Sequence, residues 1–312
     1  MEKRRGRGGD RRIGETGRGR PQPARAASPT TVTTTAPKDA PGIRNPYVRF
    51  RPLKKPPIAE HQTTLWDYPS QHYGKGEQGS AGYRGATPSH VIWNVVSRYT
   101  KAEDLVVDPF CGSGTTIDVC KDLGRRAKGF DLAPSRTDII HGDARELARL
   151  VQRETAHLVF FDPPYAQNLT YSDDPGCIGK LTYDDGAWTA AMGRVVREAE
   201  KVLKPGGVLA AFVCDVLDVK SRDQRFLPLG LDLAMLGRDA GLTLFDHVAV
   251  VRHGKALEDP RLRARAAAEG FMLRGFSHLL LFRKGAATLG VGTTTPAQQS
   301  SSAQGRARKG RR

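Results

Sequence analysis

No stretch of about 18 apolar residues occurs in this sequence, so no segment reads as a membrane-spanning helix. The N-terminus is charged but has no apolar core of the kind a secretory signal needs. Its arginine-rich start shares the charge of an organelle transit peptide, although Glu2, Asp10 and Glu15 run against that reading. Cysteine is scarce: Cys111, Cys120, Cys177 and Cys214 are scattered, with no C-x-x-C pair. The eight histidines form no cluster at ligand spacing. A reducing, cytoplasmic setting without a structural metal is therefore expected.

Acidic residues are also unevenly missing. Residues 286–312 hold 5 Lys/Arg and no acid, and residues 1–60 hold 15 Lys/Arg against 5 Asp/Glu. The stretch 61–285 has 29 of one and 28 of the other, so all but one unit of the formal charge of +16 resides in the two ends. Residues 1–46 are rich in Arg, Gly, Pro, Ala and Thr, with too few large apolar side chains to offset the entropy of chain ordering. The expected organisation is a basic disordered tail and linker over 1–60, one folded domain over 61–285, and a second basic disordered tail over 286–312. Such tails serve either as plain solvated ends or as sequence-independent contacts to a phosphate backbone.

The neutral stretch alternates short apolar runs with helix-like segments. LVVDP (105–109) reads as a buried strand ending in a glycine-rich turn, followed by a helix over Thr115–Leu123 that Gly124 stops. RAKGF (126–130), DIIHGD (138–143), HLVFFD (157–162) and GVLAAFVCD (207–215) read as further strands. Between them the pattern predicts a helix from Ala144 to about Arg153 and a longer one over Ala187–Leu203, closed by Lys204-Pro205-Gly206-Gly207. Residues 231–240 read as helix, and LTLFDHVAVVR (242–252) and HLLLFRK (278–284) as strands joined by a loop without an apolar helix. The alternation predicts an α/β fold, a doubly wound Rossmann-like sheet that is mostly parallel with an antiparallel hairpin at one edge. Ligands in such sheets lie at the carboxyl ends of the strands.

Two motifs carry chemistry. In DPFCGSGTT, Asp108 to Thr116, Gly112 and Gly114 allow close backbone approach at a strand-to-helix turn. The helix starting near Thr115 presents free N–H groups suited to a carboxylate. A third fingerprint glycine is missing and no Gly-Lys-Thr/Ser follows, which points to a cofactor without a pyrophosphate. Asp131 ends the next strand and suits a pair of ribose hydroxyls. Asp143 ends the third strand and suits an adenine edge, with the N-cap of the helix behind it as the plainer alternative.

The second motif is DPPY, Asp162 to Tyr165, after the apolar run HLVFF. As a bare tetrapeptide it suits a surface turn; one or two strand units after a glycine-rich turn it reads differently. Pro163 and Pro164 hold the chain extended and donate no N–H. The Asp162 carboxylate and the Pro163 carbonyl then aim acceptors at a single –NH2 group, favouring localisation of its lone pair. Tyr165 offers a face on which an extrahelical base stacks.

DPFCGSGTT followed by FDPPY resembles the amino-methyltransferases that act on adenine N6 or cytosine N4 of DNA. The resemblance implies S-adenosyl-L-methionine as cofactor, held around Asp108, Phe110, Cys111, Gly112, Gly114, Thr115, Asp131 and Asp143, with Asp162–Tyr165 at the target base. GATPSHVIWNVVSRYT (85–100), with Thr87 and Pro88, is similar to the family's cofactor-edge helix, and GFSHLLLFRK (275–284) to its terminal strand. The likeness covers roughly 63–285. An aspartate-headed motif resembles the adenine-N6 branch more than the serine-headed cytosine-N4 branch.

The chain departs from the pattern in having no long insertion that reads as a target-recognition domain. Recognition is then expected from loops 166–186 (with Tyr171, Asp173, Asp174 and Tyr183), 218–230 and 253–275. Arg261, Arg263, Arg265 and Arg274 are candidates for phosphate contact, with a plain solvated helix face as the alternative. TTLWDYPSQHYG (63–74) is expected only to cover the site. The competing classes are an RNA base methyltransferase, a protein or small-molecule N-methyltransferase, and a non-catalytic nucleic-acid-binding protein on the same scaffold. DNA is the expected partner ahead of RNA, and no restriction endonuclease partner is legible.

Overall fold

The computed structural model describes residues 58–285, apart from 69, 75, 81, 82, 84, 167–171 and 219–224. The two basic tails, Tyr171 and most of the 218–230 loop's tip therefore lie outside the described residues.

A two-residue strand β1 (Leu65–Trp66) precedes helix α1 (Ser89–Tyr99) and strand β2 (Leu105–Asp108). Then come α2 (Thr115–Asp122), β3 (Arg126–Asp131), β4 (Ile139–His141), a single 3-10 turn at Ala144–Glu146, the one-turn helix α3 (Leu147–Leu150) and β5 (Ala156–Phe161). A second 3-10 turn at Ile178–Lys180 leads to α4 (Ala187–Val202) and β6 (Leu203–Val213). A small hairpin of β7 (Val216–Asp218) and β8 (Arg225–Leu227) stands apart from the main sheet. The described chain ends with α5 (Leu229–Asp239), β9 (Leu242–Val251), α6 (Lys255–Glu258), α7 (Pro260–Glu269) and β10 (Phe276–Lys284).

The eight-stranded sheet runs β1-β9-β10-β6-β5-β2-β3-β4. Strands β2 to β6 are mutually parallel, whereas β10 is antiparallel to both β6 and β9. The chain winds outward from β2 through β3 to β4, then returns to place β5 on the other side of β2. The switch of direction between β2 and β5 leaves a crevice at their carboxyl ends, where ligands bind in doubly wound sheets. Asp108 closes β2 and Asp162 follows β5, so both motifs reach that crevice by topology alone.

Both faces of the sheet are covered, as strands buried on two sides require. Alternation sorts β5: Val159 and Phe161 join the core under α4 and α5, while Leu158 and Phe160 join the core under α1 and α2. The wholly buried Trp188 and Met192 anchor α4 in the first core.

Several expectations change. The helix predicted from Ala144 to about Arg153 shrinks to the 3-10 turn and α3, because Val151 leaves in extended geometry. The Lys204–Gly207 turn is absorbed as a bulge of β6: Ala156 faces Leu203, but Leu158 faces Val208. Gly206 takes φ +78° there, a value that favours glycine. The antiparallel pair β9–β10 forms, yet it is not the edge, since β1 pairs with β9 outside it. The loop between them holds a polar helix, α7, of which only Ala266 is buried, in line with the expected lack of an apolar one.

Residues 63–74 do not cover the crevice. Trp66 is buried at the far edge, the Tyr68 ring stacks on His90 of α1 at 4.9 Å, and the Tyr73 hydroxyl donates to Asp122 at the end of α2 at 2.8 Å. Their aromatic side chains fill the second core instead. Among the described residues no helix is long and apolar enough to cross a membrane.

Candidate active site

The turn after β2 is built around the Asp108 carboxylate. Its two oxygens accept the Phe110 amide at 2.9 Å and the Thr116 hydroxyl at 2.5 Å, tying the strand end to the first turn of α2. Asp131 performs the matching task from β3, accepting the amides of Gly112 and Ala133, each at 2.9 Å. The Cys111 amide donates to the Phe130 carbonyl at 2.9 Å, and the buried Cys111 thiol sits against Gly129, where a side chain would collide with the sulfur. Burial, with Asp108 and Asp131 close by, pushes the Cys111 thiol far above its ordinary range.

The packing around the turn also requires the two glycines. Gly112 (φ +48°) would aim a Cβ at the Tyr83 hydroxyl, 2.9 Å away, and Gly114 (φ +84°) would aim one at the Arg136 guanidinium, 2.6 Å away. Both make room for protein side chains, and positive φ adds a second reason for glycine. Gly114 and Pro88 are accordingly not among the cavity-lining residues, whereas Thr87, Phe110, Cys111, Gly112 and Thr115 are.

Asp162 lies at the bottom of the crevice, enclosed by protein but open to the cavity. Its oxygens accept the Thr87 hydroxyl, from the segment before α1, and the Tyr165 hydroxyl, both at 2.6 Å. Burial raises its pKa to about 7, opposed by those two hydrogen bonds and by the charge of Arg252. Burial likewise pushes Asp108 up to about 7, against its bonds to Thr116 and Phe110, with Asp131 and Asp162 adding like-charge repulsion. The Pro164 carbonyl is taken by the Trp188 indole N–H at 2.9 Å and the Ala166 amide at 3.1 Å. Among the described residues no donor occupies the Pro163 carbonyl, so it and Asp162 remain the acceptors open to a ligand.

Asp143 is an N-cap. It accepts the Arg145 amide at 2.8 Å and pairs with the Arg145 guanidinium at 2.6 Å, which holds its pKa below the ordinary carboxylate value despite partial burial. It still borders the cavity, and its remaining lone pairs leave it able to accept from a ligand.

The cavity encloses about 1040 Å³, open mouth included, and among the described residues its lining has four carboxylates (Asp108, Asp131, Asp143 and Asp162) but no Lys, Arg or His. Apolar walls come from Phe110, which meets Phe161 edge-on, and from Ile178. Such a lining suits a ligand with positive charge, a hydroxyl-rich centre and a flat apolar part. It repels a polyphosphate. Among the described residues no cluster of three His, Cys, Asp or Glu could hold a metal ion.

The candidate basic residues are dispersed. Arg261, Arg263 and Arg265 are exposed on α7, with Arg265 paired to Glu269 at 2.7 Å, and none lines the cavity. Arg274 is half-buried beside a second cavity. Asp174, puzzling next to a polyanion, shapes its loop by accepting the Gly176 amide at 2.7 Å. Three contributors were missed in the sequence: Trp188, hidden in an amphipathic helix, Tyr83, in a segment without a pattern, and Arg252, at the end of a strand.

The model of a family described as DNA methylase matches residues 33–141, which include the glycine-rich turn and stop short of Asp162. The match begins inside the expected N-terminal tail. A type II methyltransferase of Streptomyces caespitosus, M.ScaI, is 27% identical over 112 residues, covering 33% of this chain and 37% of that protein. M.HinfI of Haemophilus influenzae, also a type II methyltransferase, is 33% identical over 73 residues, covering 23% of this chain and 20% of that protein. The chain thus matches about a third or less of the length of these relatives. Among solved structures, a Thermus thermophilus protein assigned as a DNA modification methylase, crystallised with S-adenosyl-L-methionine, aligns with TM-score 0.35 and 26% identity over 46% of this chain and 54% of that one. The family match and the curated relatives bear out the resemblance to the DNA amino-methyltransferases.

Proposed function

We propose that this chain transfers a methyl group from S-adenosyl-L-methionine to an exocyclic amino group of a DNA base, and that the base is adenine, methylated at N6. The observation that carries the reading is the pairing of two features in one crevice: a cavity lined, among the described residues, by four carboxylates and no cation, and, at its base, an Asp162–Pro163 acceptor pair.

The residues fit the cofactor group by group. The Asp131 oxygens keep lone pairs for a ribose diol after accepting two amides, Asp143 and the apolar wall at Phe110 and Ile178 suit an adenine, and the carboxylates favour a cation. S-adenosyl-L-methionine supplies an electrophilic methyl on a sulfonium. The chain's own part is to hold the acceptor. Asp162 and the Pro163 carbonyl receive the two hydrogens of the amino group, which turns the nitrogen lone pair out of the ring and toward the methyl. With the cofactor bound, an Asp162 oxygen would take the proton that the methylated nitrogen sheds, and its pKa of about 7 suits acceptance near neutrality. Tyr165, tethered through its hydroxyl to Asp162, presents its ring to the base.

The direct test is to incubate the protein with radiolabelled S-adenosyl-L-methionine and, separately, DNA or RNA, then digest to nucleosides. Labelled N6-methyladenine from DNA is the expected product. Label in N4-methylcytosine alone would overturn the adenine assignment, and label only in RNA would overturn the DNA assignment.

A further inference from the structure

Beside the acidic cavity lies a second one of about 880 Å³, open mouth included, and Tyr165 lines both. The second cavity has the opposite electrostatic character. Arg252, from the residue after β9, and Arg274, from the approach to β10, both line it. Arg252 donates to the Cys214 sulfur at 2.9 Å, and Arg274 donates to the Met272 carbonyl at 2.6 Å and lies over the Phe226 ring at 5.2 Å. Among the described residues neither guanidinium forms an ion pair with a carboxylate. The Arg274 Nε is buried and has no hydrogen-bond partner there. A buried guanidinium N–H without an acceptor is costly, and such groups normally meet an anion or a water.

The one carboxylate in the lining among the described residues is already committed. Asp215 accepts the Gly230 amide at 3.0 Å and pairs with His278 at 3.0 Å. His253, the remaining basic group, is held by Asp67 at 2.6 Å. The two arginines are thus the available cations of this cavity, one step from the ring expected to stack the target base.

Resting on the methyltransferase reading, we infer that this second cavity is the phosphodiester subsite of the target nucleotide, with Arg252 and Arg274 binding the backbone phosphate next to the extruded base. A cationic donor and a polyanionic acceptor then occupy adjoining pockets of opposite sign, divided by Tyr165. The arginine pair also gives the near-neutral stretch a local anion site.

The experiment begins with wild-type protein, labelled S-adenosyl-L-methionine and plasmid DNA, from which the methylated position is mapped. Short duplexes containing that position are then made with a neutral methylphosphonate replacing the phosphate on the 5′ or the 3′ side of the target. Wild-type affinity should fall about tenfold on one of the two neutral duplexes, as expected for loss of a strong charge-assisted contact. Arg274→Gln and Arg252→Gln should each bind the ordinary duplex more weakly and lose much of the sensitivity to that same substitution. The variant carrying both changes should be indifferent to it and lower the slope of log affinity against log salt by about 0.9, the value for one phosphate. Cofactor affinity, measured by titration, should stay within about twofold in Arg274→Gln, showing an intact fold, and Arg274→Lys should regain part of the sensitivity. If both glutamine variants keep the wild-type sensitivity to the neutral linkage, the phosphate binds elsewhere and the inference is wrong while the methyltransferase reading stands. If the wild type labels no base in DNA, both fall together.

Discussion

Asp162 concentrates the chemistry, and its environment makes the assignment testable in two ways. Asp162→Asn keeps an oxygen but loses the charge, so methyl transfer should fall by about 10²–10⁴ while cofactor affinity changes only a few-fold, because the residue meets the acceptor amine. Single-turnover rates together with cofactor titration check this, and near-normal transfer in the variant would remove Asp162 from the mechanism. The pKa of about 7 supplies the second test. Activity needs the carboxylate as acceptor, so kcat/KM should rise with pH through about 7 and level off above it. Thr87 donates to the ionised form, and Thr87→Val should move that limb to higher pH, with a loss of about tenfold at neutral pH that alkali recovers. A purely structural role for Thr87 would lower the rate equally at every pH. The sign for stability is the reverse of a salt-bridged aspartate. A carboxyl held protonated up to about 7 in the fold, but ionising in the ordinary range when unfolded, destabilises the protein progressively as pH rises between the two. Asp162→Asn should therefore gain little in Tm at pH 4 and gain more at pH 8, read by thermal melts.

At the scale of elements, the glycine-rich turn is held from outside by a charge cluster. Arg136 pairs with Asp118 of α2 at 2.7 Å and with Asp138 at 2.7 Å, and Asp118 also accepts the Gly79 amide at 2.8 Å. These bonds hold Asp118 and Asp138 below the usual carboxylate range, with the Arg136 side chain the main favourable partner. The cluster fastens the segment carrying Ser80 and Tyr83 against the turn, where the Ser80 amide donates to the Ser113 carbonyl at 2.8 Å. Arg136→Ala should loosen that segment and weaken cofactor binding by about fivefold, roughly 1 kcal/mol for a partly exposed pair. Calorimetric titration reads the affinity, and high salt should narrow the gap between variant and wild type. Unchanged affinity would mean the turn keeps its shape without the cluster.

For the whole molecule, long-range attraction to a polyanion is expected to come mainly from the ends of the chain. Residues 1–32 carry a net charge of +6 and residues 286–312 a net of +5, whereas residues 61–285 are almost neutral. Because the family match begins at residue 33, the cut belongs before it. Removing 1–32 and 286–312 should weaken DNA binding and reduce the salt slope by roughly 3–4, if about four phosphates are neutralised by the tails. The methylated sequence should not change, since phosphate contacts position a protein and base contacts specify. An unchanged slope would leave binding to the domain's own arginines; a changed target would place base-reading groups in the tails.

The succession of strands along the chain, the place of the crevice and the acceptor loop were legible in the residues because they depend on local rules. Apolar runs at strand length, a glycine-rich turn after the first of them and an Asp-Pro-Pro-Tyr after the fourth fix which strand ends carry polar groups, and the switch between β2 and β5 then joins them. Contacts that cross the fold were not legible. Nothing near Thr87 in the chain says that its hydroxyl reaches Asp162, 75 residues away, nor that the Trp188 indole takes the Pro164 carbonyl. Gly112 and Gly114 also answer to partners the sequence did not show, since a Cβ at either would meet Tyr83 or Arg136. Residues 63–74 went astray because burying aromatic side chains against α1 and α2 is a tertiary outcome without local periodicity. The sequence by itself determined the kinds of groups at the strand ends, through spacing and backbone preference. Only the tertiary structure decided their electrical setting, because desolvation and the arrangement of neighbours put four carboxylates into one cavity and two arginines into the next.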